Sequence, residues 1–248
     1  MKAAALISGG KDSLYAMIEL SQQGVQFECI CHLKPSKLGQ ELDSYMYQSV
    51  GSEVVPLIAE ALGLPIIEKE ITGRAVNKNL DYQKTENDEV EDLAQLITEA
   101  KRQFPEIKGV SSGAILSTYQ KNRVEDICQR LKLQSLAPLW NRNQEELLSR
   151  MVTAEMDSVL VRVCSPGLKT EHLGRNLSEI KEYLISLKYK MGVSCCGEGG
   201  EFESITLDCP LYKKRIKLID SEKIIEKETP TGEITARLLI HNAILIPK

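Results

Sequence analysis

The residues best suited to chemistry stand near the start of the chain, in the run Ser8-Gly9-Gly10-Lys11-Asp12-Ser13, between a short apolar stretch and the first turn of an amphipathic one. Paired glycines let the backbone turn tightly and bring amide N–H groups close to an anion. A helix start adds the positive end of its dipole, and Lys11 adds a full charge. This is chemistry for phosphate. The run departs from a Walker A loop, because Asp12 follows the Gly-Lys pair where Ser or Thr is required and Ala5 takes the place of the first glycine. A carboxylate beside a triphosphate repels it unless a cation intervenes. Two readings of Asp12 therefore stay open: a ligand of a bridging Mg2+, or a carboxylate that only complements the helix dipole.

Two further acidic groups invite attention. Asp88, Glu89, Glu91 and Asp92 crowd the start of a stretch carrying Val90, Leu93 and Ile97, where they suit a helix N-terminus as well as a ligand. In Cys196-Gly197-Glu198-Gly199-Gly200-Glu201-Phe202-Glu203, a strand opening at Glu201 would set Glu201 and Glu203 on the face of Ile205 and Leu207, where carboxylates need a partner. Gly113, Ala114 and Ile115 follow a strand, and the missing or short side chains of Gly113 and Ala114 would leave room for a planar ring, or simply admit the next helix. Arg123, one helical turn past Tyr119, could meet a phosphate or an acidic surface. Tyr45, Tyr47, Tyr119, Trp140, Phe202 and Tyr212 are the rings to search first in a chain with 5% aromatic residues.

Lys2 to Ser8 reads as a strand covered on both faces, the pattern of a parallel sheet. A helical period follows from Asp12 to the stop at Gly24, then a strand over Val25 to Leu33. Val50 to Leu62 reads as a helix closed by Gly63, Leu64 to Glu70 as a third strand and Ile107 to Ser112 as a fourth. Ser117 with Gln120 has the spacing of a capping box, and Gln134 to Leu136 supplies a fifth strand. Strands alternating with helices predict an α/β, doubly wound, parallel five-stranded sheet. Past Pro138 the texture changes, which sets residues 1–138 apart from a smaller α+β unit over residues 139–248. There, Gln144 to Glu155 and a face of Leu177, Ile180, Leu184 and Leu187 read as helices, and most of the chain beyond Val193 as strands.

The chain has 248 residues, 42% apolar and 27% charged, which excludes disordered, collagen-like and coiled-coil classes. A net charge of -4 argues against a cationic face for nucleic acid. No apolar stretch is long enough for a membrane span, and the first residues run into the glycine loop without a cleavage site. The seven cysteines form no C-x-x-C pair, so they read as small buried thiols of a reducing cytoplasm, with no structural metal.

The Ser8 to Ser13 run resembles the PP-loop, S-G-G-x-D-S, of ATP pyrophosphatases. Together with Glu41 to Gln48, Asp88 to Leu93, Gly113-Ala114-Ile115, Tyr119-Gln120, Arg123-Val124-Glu125, the Cys196 to Glu203 segment and Leu207-Asp208-Cys209-Pro210, it is similar to the ATP-dependent diphthine ammonia ligases, or diphthamide synthetases. The resemblance spans residues 1 to about 215. It implies a HUP-like PP-loop fold and the amidation of diphthine on translation elongation factor 2 by ammonia, through an acyl-adenylate, with ATP and Mg2+ as cofactors. It implies that Ser8, Gly9, Gly10, Lys11, Asp12, Ser13, Gly113, Ala114 and Ile115 bind ATP, and that Lys11, Asp12 and Glu201 are catalytic. Substrate contacts fall to Tyr45, Tyr47, Asp88, Glu89, Tyr119, Arg123, Glu198 and Glu203. A PP-loop enzyme modifying tRNA and a non-catalytic adenine-nucleotide sensor are the alternatives. The net charge and the cysteine pattern weigh against the first, the complete hexamer against the second.

Overall fold

The computed structural model describes residues 1–36, 44, 46–230 and 232–248. Five parallel strands lie in the order β3-β2-β1-β4-β5: β1 Lys2–Leu6, β2 Gln26–Lys34, β3 Ile66–Glu70, β4 Gly109–Ser111 and β5 Gln134–Leu136. β1 holds the centre because its alanines suit it. Ala3, Ala4 and Ala5 are each 0% exposed and leave space for layers on both faces, Ala4 belonging to one apolar cluster and Ala5 to another.

Helices connect the strands: α1 Lys11–Gln22, α2 Val55–Leu62, α3 Glu89–Gln103 and α4 Thr118–Leu131. Their ends follow local rules. Asp88 caps α3 by accepting from the Val90 amide, Ser117 caps α4 by accepting from the Gln120 amide, and α2 ends at Gly63 in the left-handed region. The stretch read as one helix from Val50 divides into a 3-10 turn at Ser52–Val54 and α2. Pro56 sits in the first turn of α2, where its missing N–H costs nothing.

The second sheet is antiparallel, ordered β7-β6-β9-β8, from β6 Asp157–Val163, β7 Phe202–Asp208, β8 Lys214–Glu228 and β9 Ile234–Pro247. Helices α5 Gln144–Thr153 and α6 Leu177–Met191 pack with it. One apolar cluster runs through both sheets, joining Ile7, Leu14 and Ile58 to Val161, Leu184 and Ile205. The Thr206 amide of β7 donates to the Gly9 carbonyl at 2.9 Å, so the second sheet is anchored on the glycine turn. No helix among the described residues is long and apolar enough to cross a membrane.

Candidate active site

Where β1 hands over to α1, Gly9 adopts φ +93, which L side chains rarely enter. Gly10 caps α1 in an extended conformation, and a Cβ there would come within 2.8 Å of Gln48 Oε1. The turn is held from outside. The Lys11 amide donates to Ser204 Oγ at 3.2 Å, Gln48 Nε2 donates to the Ser204 carbonyl at 3.0 Å, and Ser13 Oγ donates to the Gly10 carbonyl at 3.0 Å. Lys11 is 2% exposed. Its ammonium meets Asp12 Oδ2 at 2.7 Å, donates to the Cys196 carbonyl and lies 5.1 Å from the centre of the Phe202 ring. Burial works against this cation, but Asp12, Cys196 and Glu198 together outweigh it and hold the ammonium above its ordinary pKa. For the Asp12 carboxyl, burial dominates over the attraction of Lys11 and pushes its pKa up.

A cavity of about 750 Å3 opens at the carboxyl ends of β1, β2 and β4, where ligands sit in open α/β sheets. Ser8, Lys11, Asp12 and Ser13 line it from the glycine turn, Gly113 and Ala114 from the end of β4, and Glu198, Phe202 and Glu203 from the second sheet. Tyr47 and Tyr119 also face it. Asp12 Oδ1 and Ser112 Oγ are buried with no hydrogen-bond partner among the described residues, and both residues line the cavity. Polar atoms left this way beside a cavity are what a ligand would satisfy. No cluster of three or more metal-ligating side chains exists among the described residues. A cation here would rest on Asp12 with phosphate oxygens and water, the habit of Mg2+, and the orphaned Oδ1 fits that role.

Several residues expected at the site do other work. Glu201 precedes β7, and its carboxylate turns back to accept from the Ser194 amide at 2.9 Å and the Gly199 amide at 2.7 Å. It caps its own loop and does not line the cavity. Asp88 is consumed by capping, accepting from the amides of Val90, Val76 and Asn77 at 3.0, 3.1 and 2.8 Å, and Glu89 is buried behind it. Neither reaches the cavity. Arg123 is 0% exposed, donates to the carbonyls of Tyr119, Asn77 and Asn79, and stacks 3.2 Å from the Tyr119 ring centre, so it meets neither phosphate nor partner surface. Ile115 is buried in the core. Gly113 is needed for a reason other than room for a ring: a Cβ there would come within 2.7 Å of the Asp12 carbonyl carbon and the Ser13 amide nitrogen in α1. Tyr45 lies outside the described residues.

Glu198 and Glu203 do line the cavity. Glu198 Oε2 accepts from the amides of Leu116 and Ser117 at the entry to α4, and burial raises its pKa. Glu203 faces Arg162 at 3.6 Å on the neighbouring strand β6. Tyr47 donates to the Glu89 carbonyl at 3.3 Å, and burial pushes its phenol well up. Sequence reasoning missed Ser204, Gln48, His32 and Gln144. Gln144 Oε1 accepts from Ser194 Oγ at 2.7 Å and from the Cys196 amide at 3.4 Å, and so fixes the loop whose carbonyl holds Lys11. An ordinary glutamine in a helix gave no local sign of that.

The family described as diphthamide synthase N-terminal domain matches residues 1–135, and the one described as diphthamide synthase C-terminal domain matches residues 143–238. The chain belongs to the diphthamide synthase family. The diphthine–ammonia ligase of Rattus norvegicus is 48% identical over 229 residues, covering 91% of this chain and 85% of the relative. That of Schizosaccharomyces pombe is 46% identical over 234 residues, 94% of this chain but only 38% of the longer relative. A Methanocaldococcus jannaschii structure described as a predicted subunit of tRNA methyltransferase is 17% identical, with TM-score 0.39 over 85% of this chain and 98% of its own, too distant to bear on activity. In this family member the glycine turn and the Cys196 to Glu203 segment, far apart in the chain, share one cavity.

Proposed function

We propose that the chain amidates diphthine on translation elongation factor 2 with ammonia, consuming ATP and releasing AMP and pyrophosphate. The observation that supports this reading is the convergence of Ser8, Lys11, Asp12 and Ser13 with Glu198, Phe202 and Glu203 on one cavity in a member of the diphthamide synthase family. Residues 1–138 serve as the ATP-binding unit and residues 139–248 as the substrate-binding unit.

A carboxylate resists attack because its leaving group would be oxide. Transfer of AMP from ATP to the diphthine carboxylate breaks the bond between the α and β phosphates, releases pyrophosphate and forms an acyl-adenylate. Ammonia then displaces AMP and gives the amide. The Ser8 to Ser13 turn and the α1 N-terminus hold the β and γ phosphates as the leaving group, with Lys11 compensating their charge. Asp12, whose Oδ1 is buried without a partner among the described residues, would hold Mg2+, which when bound would neutralise phosphate charge. Across the cavity, Glu198 and Glu203 supply negative charge and the ring of Tyr47 a π face for the quaternary ammonium of diphthine.

Product analysis with elongation factor 2 bearing diphthine, ammonium and ATP tests the reading. AMP, pyrophosphate and an amidated factor in equal amounts are expected. ADP with orthophosphate, or turnover with tRNA in place of the factor, would overturn it.

A further inference from the structure

His32 lies in β2, beside the central strand, and lines the cavity although it is only 1% exposed. Its Nδ1 stands 2.9 Å from the carbonyl oxygen of Ile7, the residue before the glycine turn. A carbonyl only accepts, so Nδ1 must carry the proton and donate it. Burial lowers the pKa of this imidazole and keeps it neutral. The tautomer is thereby fixed. Nε2 is a pure acceptor, buried, and without a hydrogen-bond partner among the described residues.

An acceptor in this position asks for a donor from the ligand. Phosphate oxygens offer none. The donors of ATP are the exocyclic 6-amino group of adenine and the ribose hydroxyls. A hydroxyl can turn to suit either a donor or an acceptor, so a locked tautomer gains nothing from it. A 6-amino group differs in kind from the 6-oxo group of guanine, and a locked acceptor separates the two. We infer that His32 reads the 6-amino group of adenine through Nε2 and so makes the cavity selective for ATP over GTP. This rests on the ATP reading above and adds a specificity-determining residue to it.

Calorimetric titration of the whole chain, without protein substrate, with ATP, purine riboside triphosphate (no 6-substituent), GTP and the 2′- and 3′-deoxy forms of ATP tests the inference. Wild type should bind ATP at least about tenfold more tightly than the purine riboside form, and GTP more weakly still. In His32→Phe, which keeps the ring shape and removes the acceptor, the ATP preference over purine riboside triphosphate should fall to within about twofold. His32→Gln, whose amide oxygen reaches toward the same position, should retain part of it. The wild-type comparison needs no variant, so a poorly folded His32→Phe does not protect the inference. Equal wild-type affinity for ATP and purine riboside triphosphate overturns it, as does an undiminished preference in folded His32→Phe. It also falls if the His32→Phe loss follows the deoxy analogues instead. Failure of wild type to bind any triphosphate would bring down the nucleotide reading itself, and this inference with it.

Discussion

The Glu198 carboxylate accepts from the Leu116 amide at 2.7 Å, so a glycine-rich loop of the second sheet holds the entry to α4 in the first. Burial raises the Glu198 pKa above its ordinary 4.5, while the Leu116 and Ser117 amides and Lys11 oppose that shift. A carboxyl raised in this way holds its proton more firmly folded than unfolded. Its contribution to stability is full below the unfolded value and is lost as pH rises through the folded one. Glu198→Gln does not titrate. The melting temperature of the variant minus that of wild type should therefore increase with pH from about 4.5 toward neutrality. A difference that stays flat or falls would show that burial does not strain the ionised group.

Lys11→Met should reduce AMP and pyrophosphate formation at least about a hundredfold, roughly 2.7 kcal/mol of transition-state stabilisation. The substitution keeps the length that packs beside Phe202 but removes the cation from Asp12 and the Cys196 carbonyl. Steady-state rates with saturating ATP measure it. A rate within threefold of wild type would remove Lys11 from the chemistry.

Glu201 and Glu203 sit two positions apart and should answer differently. Glu201→Gln leaves one oxygen to serve two amides, so the 194–201 loop loosens. Stability should drop by about 1–2 kcal/mol, and ATP binding and amidation should weaken together. Glu203→Gln keeps the loop, so ATP affinity should stay within about threefold while the KM for the diphthine-bearing factor rises at least about tenfold. Calorimetry, initial rates and melting curves on the same preparations separate the two patterns. Identical behaviour of the pair would contradict the separate placements.

Arg123→Met should destabilise the fold by about 3 kcal/mol or more, because the buried guanidinium satisfies the carbonyls of Asn77 and Asn79 and fills the space beside Tyr119 and Tyr82. Urea unfolding measures the loss. The ATP affinity of the variant that remains folded should be close to wild type. A stable variant with impaired phosphate binding would return Arg123 to the site.

The Ser8 to Ser13 loop was legible in the sequence because strand, glycine turn and helix start are formed by neighbours in the chain, and the same holds for the caps at Asp88 and Ser117. The alternation of strands and helices gave the parallel sheet for a related reason: burial on both faces writes continuous apolar runs. The acidic segment shows where this stops. Whether a carboxylate enters the cavity depends on where β7 begins, and a start at Phe202 instead of Glu201 leaves Glu201 in the preceding loop, free to cap its own amides. Gly113 was noticed, but its purpose needed α1 packed against it. Arg123 looks like any arginine on an amphipathic helix until the 77–79 carbonyls are laid across it. The composition of the site was thus local and readable. The partners of Lys11 at Cys196 and Ser204, and of Glu198 at Leu116, were decided only when the second sheet closed on the glycine turn, because hydrogen bonds between segments distant in the chain leave no periodic or adjacent trace in sequence.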